Sequence, residues 1–91
     1  MTAAAMVPAT IDVLYFAWLR ERAGTGREAV ATVAPTVAAL VEELRARGEG
    51  HAAAFADMRA VRVAVDRRLS SLDAPLAGAR EVAFFPPMTG G

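Results

Sequence analysis

The sequence predicts an α+β fold in which one main helix packs on one face of a mixed sheet of four to five strands. Three observations support this prediction. The 91 residues suffice for a single small domain. One central segment has the apolar spacing of a helix, and the segments on both sides of it have the composition of strands. Such an arrangement leaves the second face of the sheet open.

Two strands are predicted at the start of the domain. Ile11–Trp18 (IDVLYFAW) is rich in β-branched and aromatic residues, and Ala29–Val33 (AVATV) alternates weakly. Gly24 and Gly26 lie in the connection between them. We therefore expect the two strands to pair as a β-hairpin.

The clearest element is a helix that begins after Pro35. Thr36 is a suitable N-cap. The apolar residues that follow have the spacing of a single helical face: Val37, Leu40, Val41 and Leu44. We expect the helix to end at Gly48 and a short helical turn to follow at 51–57, with His51 on the surface.

Two further strands are predicted after the helix. Val61–Asp66 has valine at every second position, and Glu81–Phe85 (EVAFF) ends at Pro86, which cannot donate to a strand ladder. The segment between them, LSSLDAPLAGAR, is expected to be a polar connection entered through a turn at Arg67 and Arg68. Taken in this order, the elements describe a β-grasp fold.

We divide the chain into three parts. Residues 1–9 are expected to form a flexible N-terminal extension, residues 10–86 the β-grasp domain and residues 87–91 an extended tail. The start of the chain lacks the basic n-region of a signal peptide, and no apolar run approaches the roughly 18 residues that span a membrane. A cytoplasmic location without membrane contact is the expectation.

Composition narrows the possible functions. Ten arginines balance ten acidic residues, and this zero net charge argues against binding to nucleic acid through its phosphates. The chain has no cysteine and a single histidine. Thiolate nucleophiles and clusters of Cys or His around a metal are therefore excluded, and we expect no bound cofactor and no metal.

The C-terminal segment FFPPMTGG indicates a projecting tail. Pro86 and Pro87 favour a stiff, extended path away from the sheet. The four residues that follow can then reach on the order of 13 Å. Gly90 and Gly91 have no Cβ and can thread a channel too narrow for other residues. The pattern favours delivery of the terminal carboxylate into the active site of another protein.

The aromatic pairs of the first and last predicted strands indicate a binding surface. Neighbouring side chains in a strand point to opposite faces, so only one of Phe84 and Phe85 can face the helix, and only one of Tyr15 and Phe16. The outward-facing members either form an exposed aromatic patch or are covered by a loop such as 67–80. An exposed patch of this kind usually marks an interaction site.

Three segments resemble the small, sulfur-carrying subunit of molybdopterin synthase, a ubiquitin-like β-grasp family. They are VLYFAWLRERAG (Val13–Gly24), VAVDRRLSSLDAPL (Val63–Leu76) and EVAFFPPMTGG (Glu81–Gly91). The resemblance extends over nearly the whole chain from Ile11 onward, and its terminal segment is the most specific part.

The resemblance implies a reaction cycle at Gly91. An E1-like activating enzyme would use ATP to adenylate the terminal carboxylate, and a sulfur donor would convert it to a thiocarboxylate. The loaded carrier would then dock on the large synthase subunit, in a heterotetramer, and give its sulfur to cyclic pyranopterin monophosphate. All catalytic groups would lie in the partners, so the chain itself would be a non-catalytic carrier subunit.

The resemblance also implies the residues of contact. Phe16, Leu69 and Phe85 match apolar positions used for docking to the activating enzyme and the large subunit. Part of the tail would accompany them into the partner: Pro86, Pro87, Met88 and Thr89. Gly90 and Gly91 would bring the reacting group to the partner's active site.

Other functions fit the same features. A ubiquitin-like modifier would join Gly91 to lysines of target proteins, and a sulfur carrier could serve another pathway such as thiamine synthesis. A binding module would use the open sheet face alone and no covalent chemistry. Deletion of Gly90 and Gly91 separates the last class from the others, because only a pure binding module would keep its function.

Overall fold

Five strands form one mixed sheet in the computed structural model, which describes residues 7–87. The strands are β1 (Ala9–Tyr15), β2 (Arg27–Thr32), β3 (Arg62–Val65), β4 (Arg68–Ser70) and β5 (Glu81–Phe85). The helices are α1 (Trp18–Ala23), α2 (Val37–Arg45) and α3 (Glu49–Ala54), followed by a 3₁₀ turn at Met58–Ala60. The predicted β-grasp architecture is confirmed.

The sheet has the order β2-β1-β5-β3-β4. The two central strands, β1 and β5, run parallel, and all other neighbours are antiparallel. β1 begins at Ala9, inside the stretch assigned above to the N-terminal extension. β5, the last strand in sequence, lies between β1 and β3, so the chain leaves the domain from the middle of the sheet.

The core lies between one face of the sheet and α2. Thr36 caps this helix as predicted, because its hydroxyl accepts a hydrogen bond of 3.2 Å from the Ala39 amide. The helix buries the apolar face identified in the sequence, consisting of Val37, Leu40, Val41 and Leu44. From the sheet, alternate residues of β1 and β5 meet it: Ile11, Val13, Tyr15, Val82 and Phe84.

The prediction that the first strand continues to Trp18 is wrong. β1 ends at Tyr15, and Trp18 begins α1, so the β1–β2 hairpin contains a helix. The chain turns between Phe16 and Leu19, where the Leu19 amide donates to the Phe16 carbonyl over 3.1 Å. The central residue Ala17 has φ 54° and ψ −132°, the first position of a type II′ turn.

The turn at Ala17 gives no sequence signal because type II′ turns normally place glycine at that position. An alanine held there has a backbone conformation that costs on the order of 1–3 kcal/mol.

The connection after β3 is also different from the prediction. Asp66 and Arg67, both at positive φ, make a two-residue turn, and Arg68 begins β4 instead of continuing the turn. The Asp66 carboxylate accepts from the amides of Arg80 and Glu81 at 2.9 and 3.0 Å, which ties this turn to the start of β5. The Asp66 carboxylate therefore makes a structural contact.

α3 packs against α1 at close range. It includes His51, which the sequence analysis placed on the surface, and the helix starts earlier than the turn predicted at 51–57. The approach is closest at Gly50, where an added Cβ would lie 2.3 Å from the carbonyl oxygen of Arg22. Glycine is therefore required at this crossing for lack of space.

Candidate functional site

The root of the tail is the end of β5. Phe85 is the last residue of the strand, and Pro86 and Pro87 follow it in a half-buried position. Met88, Thr89, Gly90 and Gly91 lie outside the described residues, so their roles stay predictions. The described residues nevertheless place the start of the tail at the centre of the sheet, between β1 and β3.

The aromatic pairs divide between the two faces as expected. Tyr15 and Phe84 are buried at 1% and 0% exposure. Phe16 is 48% exposed, and Phe85 is half-buried on the open face. Phe16 lies next to β5, because its amide donates to the Phe84 carbonyl over 3.1 Å.

The pairing of the strands aligns apolar residues across the open face. Leu14 is opposite Ala83, Ala83 is opposite Ala64, and Ala64 is opposite Leu69. Leu69, at the end of this row, is 75% exposed. We call the row and the two aromatic residues beside it the docking face: Leu14, Phe16, Ala64, Leu69, Ala83 and Phe85.

The docking face contains the three apolar residues that the resemblance assigned to docking: Phe16, Leu69 and Phe85. Phe16 and Phe85 lie at the end where the tail begins, and Leu69 lies across the sheet on β4. The sequence did not identify β4, and Leu69 was therefore placed in the polar connection between the last two predicted strands. The structure explains its exposure, since it pairs with Ala64 on the same open face.

The end of the open face that lies away from the tail is charged. Asp12 is opposite Glu81, and the Arg27 guanidinium forms an ion pair of 2.7 Å with Asp12. Arg67 and Arg80 lie beside Asp66 at the same end. The apolar row thus lies between this charged end and the root of the tail, and two arginines border it, since Arg27 is opposite Leu14 and Arg62 is opposite Phe85.

A polar cluster lies beneath the docking face and was missed in the sequence. The Tyr15 hydroxyl donates to a Glu28 carboxylate oxygen at 2.7 Å, and His51 Nε2 contacts the same oxygen at 2.7 Å. Arg47 approaches the second oxygen at 3.5 Å. His51 is 14% exposed at its side chain, so the prediction of a surface histidine is wrong.

This cluster supports the residues behind the tail. The Tyr15 ring is stacked on Phe84, with centroids 6.2 Å apart, and Phe55 packs edge-on against Phe84 at 4.9 Å. Because Tyr15 and Phe84 directly precede Phe16 and Phe85, their packing fixes the backbone from which those two side chains leave the sheet.

The ionisation of the cluster follows from its contacts. Burial acts to raise the pKa of Glu28, but hydrogen bonds from Tyr15 and His51, together with the charges of His51 and Arg47, outweigh it and hold this pKa below its ordinary value. Burial raises the pKa of Tyr15 well above its ordinary value, and its hydrogen bond to the charged Glu28 raises it further. The pair is therefore a neutral phenol and a carboxylate at neutral pH.

These shifts predict two opposite dependences of stability on pH. The contribution of ionised Glu28 is present above its ordinary pKa of 4.5 and is lost as the pH falls through its lower folded-state pKa. The contribution of neutral Tyr15 is present below its ordinary pKa of 10.0 and is lost as the pH rises above it. When the free energy of unfolding in urea is measured across pH, Glu28→Gln should reduce its loss at acid pH, and Tyr15→Phe should reduce its loss at alkaline pH. If both variants lose unfolding free energy with pH in the same way as wild type, the described contacts among Tyr15, Glu28 and His51 are wrong.

Two kinds of feature are absent from residues 7–87. Within that range, no group of three or more His, Asp and Glu side chains is arranged to hold a metal ion. None of the helices in the same range is long and apolar enough to cross a membrane.

Comparison with known sequences identifies relatives along nearly the whole chain. The ThiS family model matches residues 13–91. The molybdopterin synthase sulfur carrier subunit of Escherichia coli is 46% identical over 81 residues, which are 89% of this chain and 99% of the relative. The protein of the same name from Haemophilus influenzae is 33% identical over the same lengths.

Comparison with solved structures agrees on the fold. A Pyrococcus furiosus protein assigned as molybdopterin converting factor, subunit 1, matches with a TM-score of 0.68 and 28% identity, over 88% of this chain and 99% of that one. The small archaeal modifier protein 1 of Haloferax volcanii matches with a TM-score of 0.67 over the same shares, at 24% identity. The latter similarity concerns the fold alone. The sequence relatives, which match over nearly their full length, place this chain in the ThiS family, together with the molybdopterin synthase sulfur carrier subunits.

Proposed function

We propose that this chain is the sulfur carrier subunit of molybdopterin synthase and that Gly91 is its reacting residue. The observation on which the proposal rests is the position of the docking face, whose two aromatic residues, Phe16 and Phe85, lie at the root of the tail. A partner bound there would receive the tail directly. The 46% identical Escherichia coli relative bears the same functional name.

The chemistry requires activation before sulfur transfer. A carboxylate is a poor electrophile, and adenylation by ATP gives it a good leaving group, with release of pyrophosphate. Sulfide released by the donor then attacks the acyl carbon, the new C–S bond forms, the C–O bond to the phosphate breaks, and AMP leaves. The resulting thiocarboxylate is a nucleophile that no side chain of this cysteine-free chain supplies.

The proposal assigns three partners. An E1-like enzyme binds and consumes the ATP, a sulfur donor loads the carrier, and the large synthase subunit accepts the tail within a heterotetramer. The product is the dithiolene of molybdopterin, built on cyclic pyranopterin monophosphate. Each dithiolene contains two sulfurs, so the carrier must be reloaded between transfers. We place this cycle in the cytoplasm because it depends on ATP.

Intact mass spectrometry tests the function. The protein is incubated with ATP, the activating enzyme of its host and a sulfur donor. We expect a mass gain equal to the replacement of one oxygen by one sulfur, and no gain when ATP is omitted. If Gly91 is instead found joined to lysines of other proteins, the chain is a protein modifier. Absence of both products would contradict covalent chemistry at Gly91 and favour a binding module.

A charge at Leu69 tests the docking face. Leu69→Glu should leave the free energy of unfolding within about 0.5 kcal/mol of wild type, because the side chain is 75% exposed. The dissociation constant for the large subunit should rise by tenfold or more, because docking would bury an unpaired carboxylate in place of an apolar side chain. Calorimetric titration measures it.

Val7→Glu is a matched control for this substitution. Val7 is equally exposed at 75%, but it precedes β1 at the end of the sheet away from the tail. Equal weakening by the two substitutions would show that charge acts without regard to position, and the docking face would be wrong.

A further inference from the structure

Ala17 has a backbone conformation that suits glycine, yet it is not glycine. Its φ of 54° and ψ of −132° lie in a region that side chains strongly disfavour. The residue is exposed and directly follows Phe16, the most exposed aromatic residue of the docking face. The conformation therefore occurs at the edge of the candidate site.

The fold does not require a methyl group at this position. The turn is held by backbone hydrogen bonds, from the Leu19 amide to the Phe16 carbonyl and from the Arg20 amide to the Ala17 carbonyl, both 3.1 Å long. Leu19, which is fully buried, fixes the other end of the turn. Glycine would make the same bonds without the steric conflict of a Cβ.

Two other turns of the chain show the usual solution. Gly24 and Gly78 have φ of 84° and 77°, and a Cβ at either position would meet no atom of the described residues within 4 Å. Glycine stands at these two positions for the backbone alone. Ala17 is in a less favourable region of backbone space than either of them, and it keeps its side chain.

We propose that the Ala17 methyl group is itself a contact of the docking face, and that it fills a small apolar pocket on the large synthase subunit. This inference rests on the proposed function. The Phe16 amide bonds to the Phe84 carbonyl, so Ala17 lies beside the last residues of β5 and the root of the tail. A pocket that receives its methyl group would lie next to the entrance through which the partner takes the tail.

The substitution Ala17→Gly separates this role from a role in folding. We expect the melting temperature to rise, since glycine relieves the backbone conflict. We expect the dissociation constant for the large subunit to rise about fourfold, the change that corresponds to one buried methyl group. A variant that is both more stable and a weaker binder is the distinctive result.

Ala46→Gly is the control for loss of an exposed methyl group elsewhere. Ala46 follows α2 with an ordinary φ of −77°, so this change should lower the melting temperature and leave docking unchanged. If Ala17→Gly binds as tightly as wild type, or if it is less stable, the inference is wrong. If wild type itself does not bind the large subunit, the proposed function fails, and the inference fails with it.

Discussion

Removal of Gly91 should lower thiocarboxylate formation by more than about a hundredfold while docking on the large subunit stays nearly unchanged. The shortened chain still ends in a glycine carboxylate of the same reactivity. That carboxylate, however, lies about 3.3–3.6 Å short of the position reached by the full tail. A misplacement of this size in an activating site prevents attack on ATP, whereas the docking face is untouched.

The experiment compares two truncations of one chain. Intact mass spectrometry after loading measures the fraction of thiocarboxylate, and calorimetry measures binding to the large subunit. Deletion of residues 1–6 is the control, because it shortens the chain at the end that the proposal does not use. If the chain without Gly91 gains sulfur as fast as wild type, the length of the tail does not decide the reaction and the proposed role of Gly91 is wrong.

The substitution Gly50→Ala should destabilise the fold by about 1–3 kcal/mol or more. Its Cβ would lie 2.3 Å from the Arg22 carbonyl oxygen, and both groups belong to backbone, so neither can move without displacing a helix. Alanine favours the helix by about 1 kcal/mol over glycine, which opposes the effect and makes its sign informative. At about 4–8 °C per kcal/mol for a domain of this size, thermal unfolding would detect the loss easily.

Gly48→Ala is the matched control two residues earlier. A Cβ at Gly48 would meet no atom of the described residues within 4 Å, so the expected effect is limited to the loss of a favoured N-cap residue of α3, about 0.5–1 kcal/mol. Equal stability of Gly50→Ala and wild type would mean that α1 and α3 do not pack as described. Loss of docking by Gly50→Ala at a temperature where it is folded would further show that this packing positions Phe16, which directly precedes the turn into α1.

The regular elements could be predicted because each has its own period. The apolar spacing of α2 and its cap at Thr36 identify that helix without any tertiary information. β5 has the predicted bounds, since Pro86 limits it on one side. β4 could not be found, because Arg68, Leu69 and Ser70 have no alternation of their own and form a strand only by pairing with β3.

The contacts under the docking face depend on residues far apart in sequence. Glu28 looks like a solvated charge in the sequence, and only folding brings it to Tyr15, thirteen residues earlier, and to His51, twenty-three residues later. The turn at Ala17 could not be predicted for the opposite reason. The turn is local, but it lacks the glycine that normally marks it. The outward side chains of the aromatic pairs were predictable because alternation in a strand is a local property.

The central position of β5 has a mechanical consequence. When a spent carrier is withdrawn from its partner, any pull on the tail is directed along this strand. β5 is hydrogen-bonded to β1 on one side and to β3 on the other, and these bonds run across the direction of the pull. All of these hydrogen bonds would have to break at the same time instead of one after another. In the proposed cycle the tail is pulled once for each sulfur, and this arrangement keeps the domain from unravelling from that end.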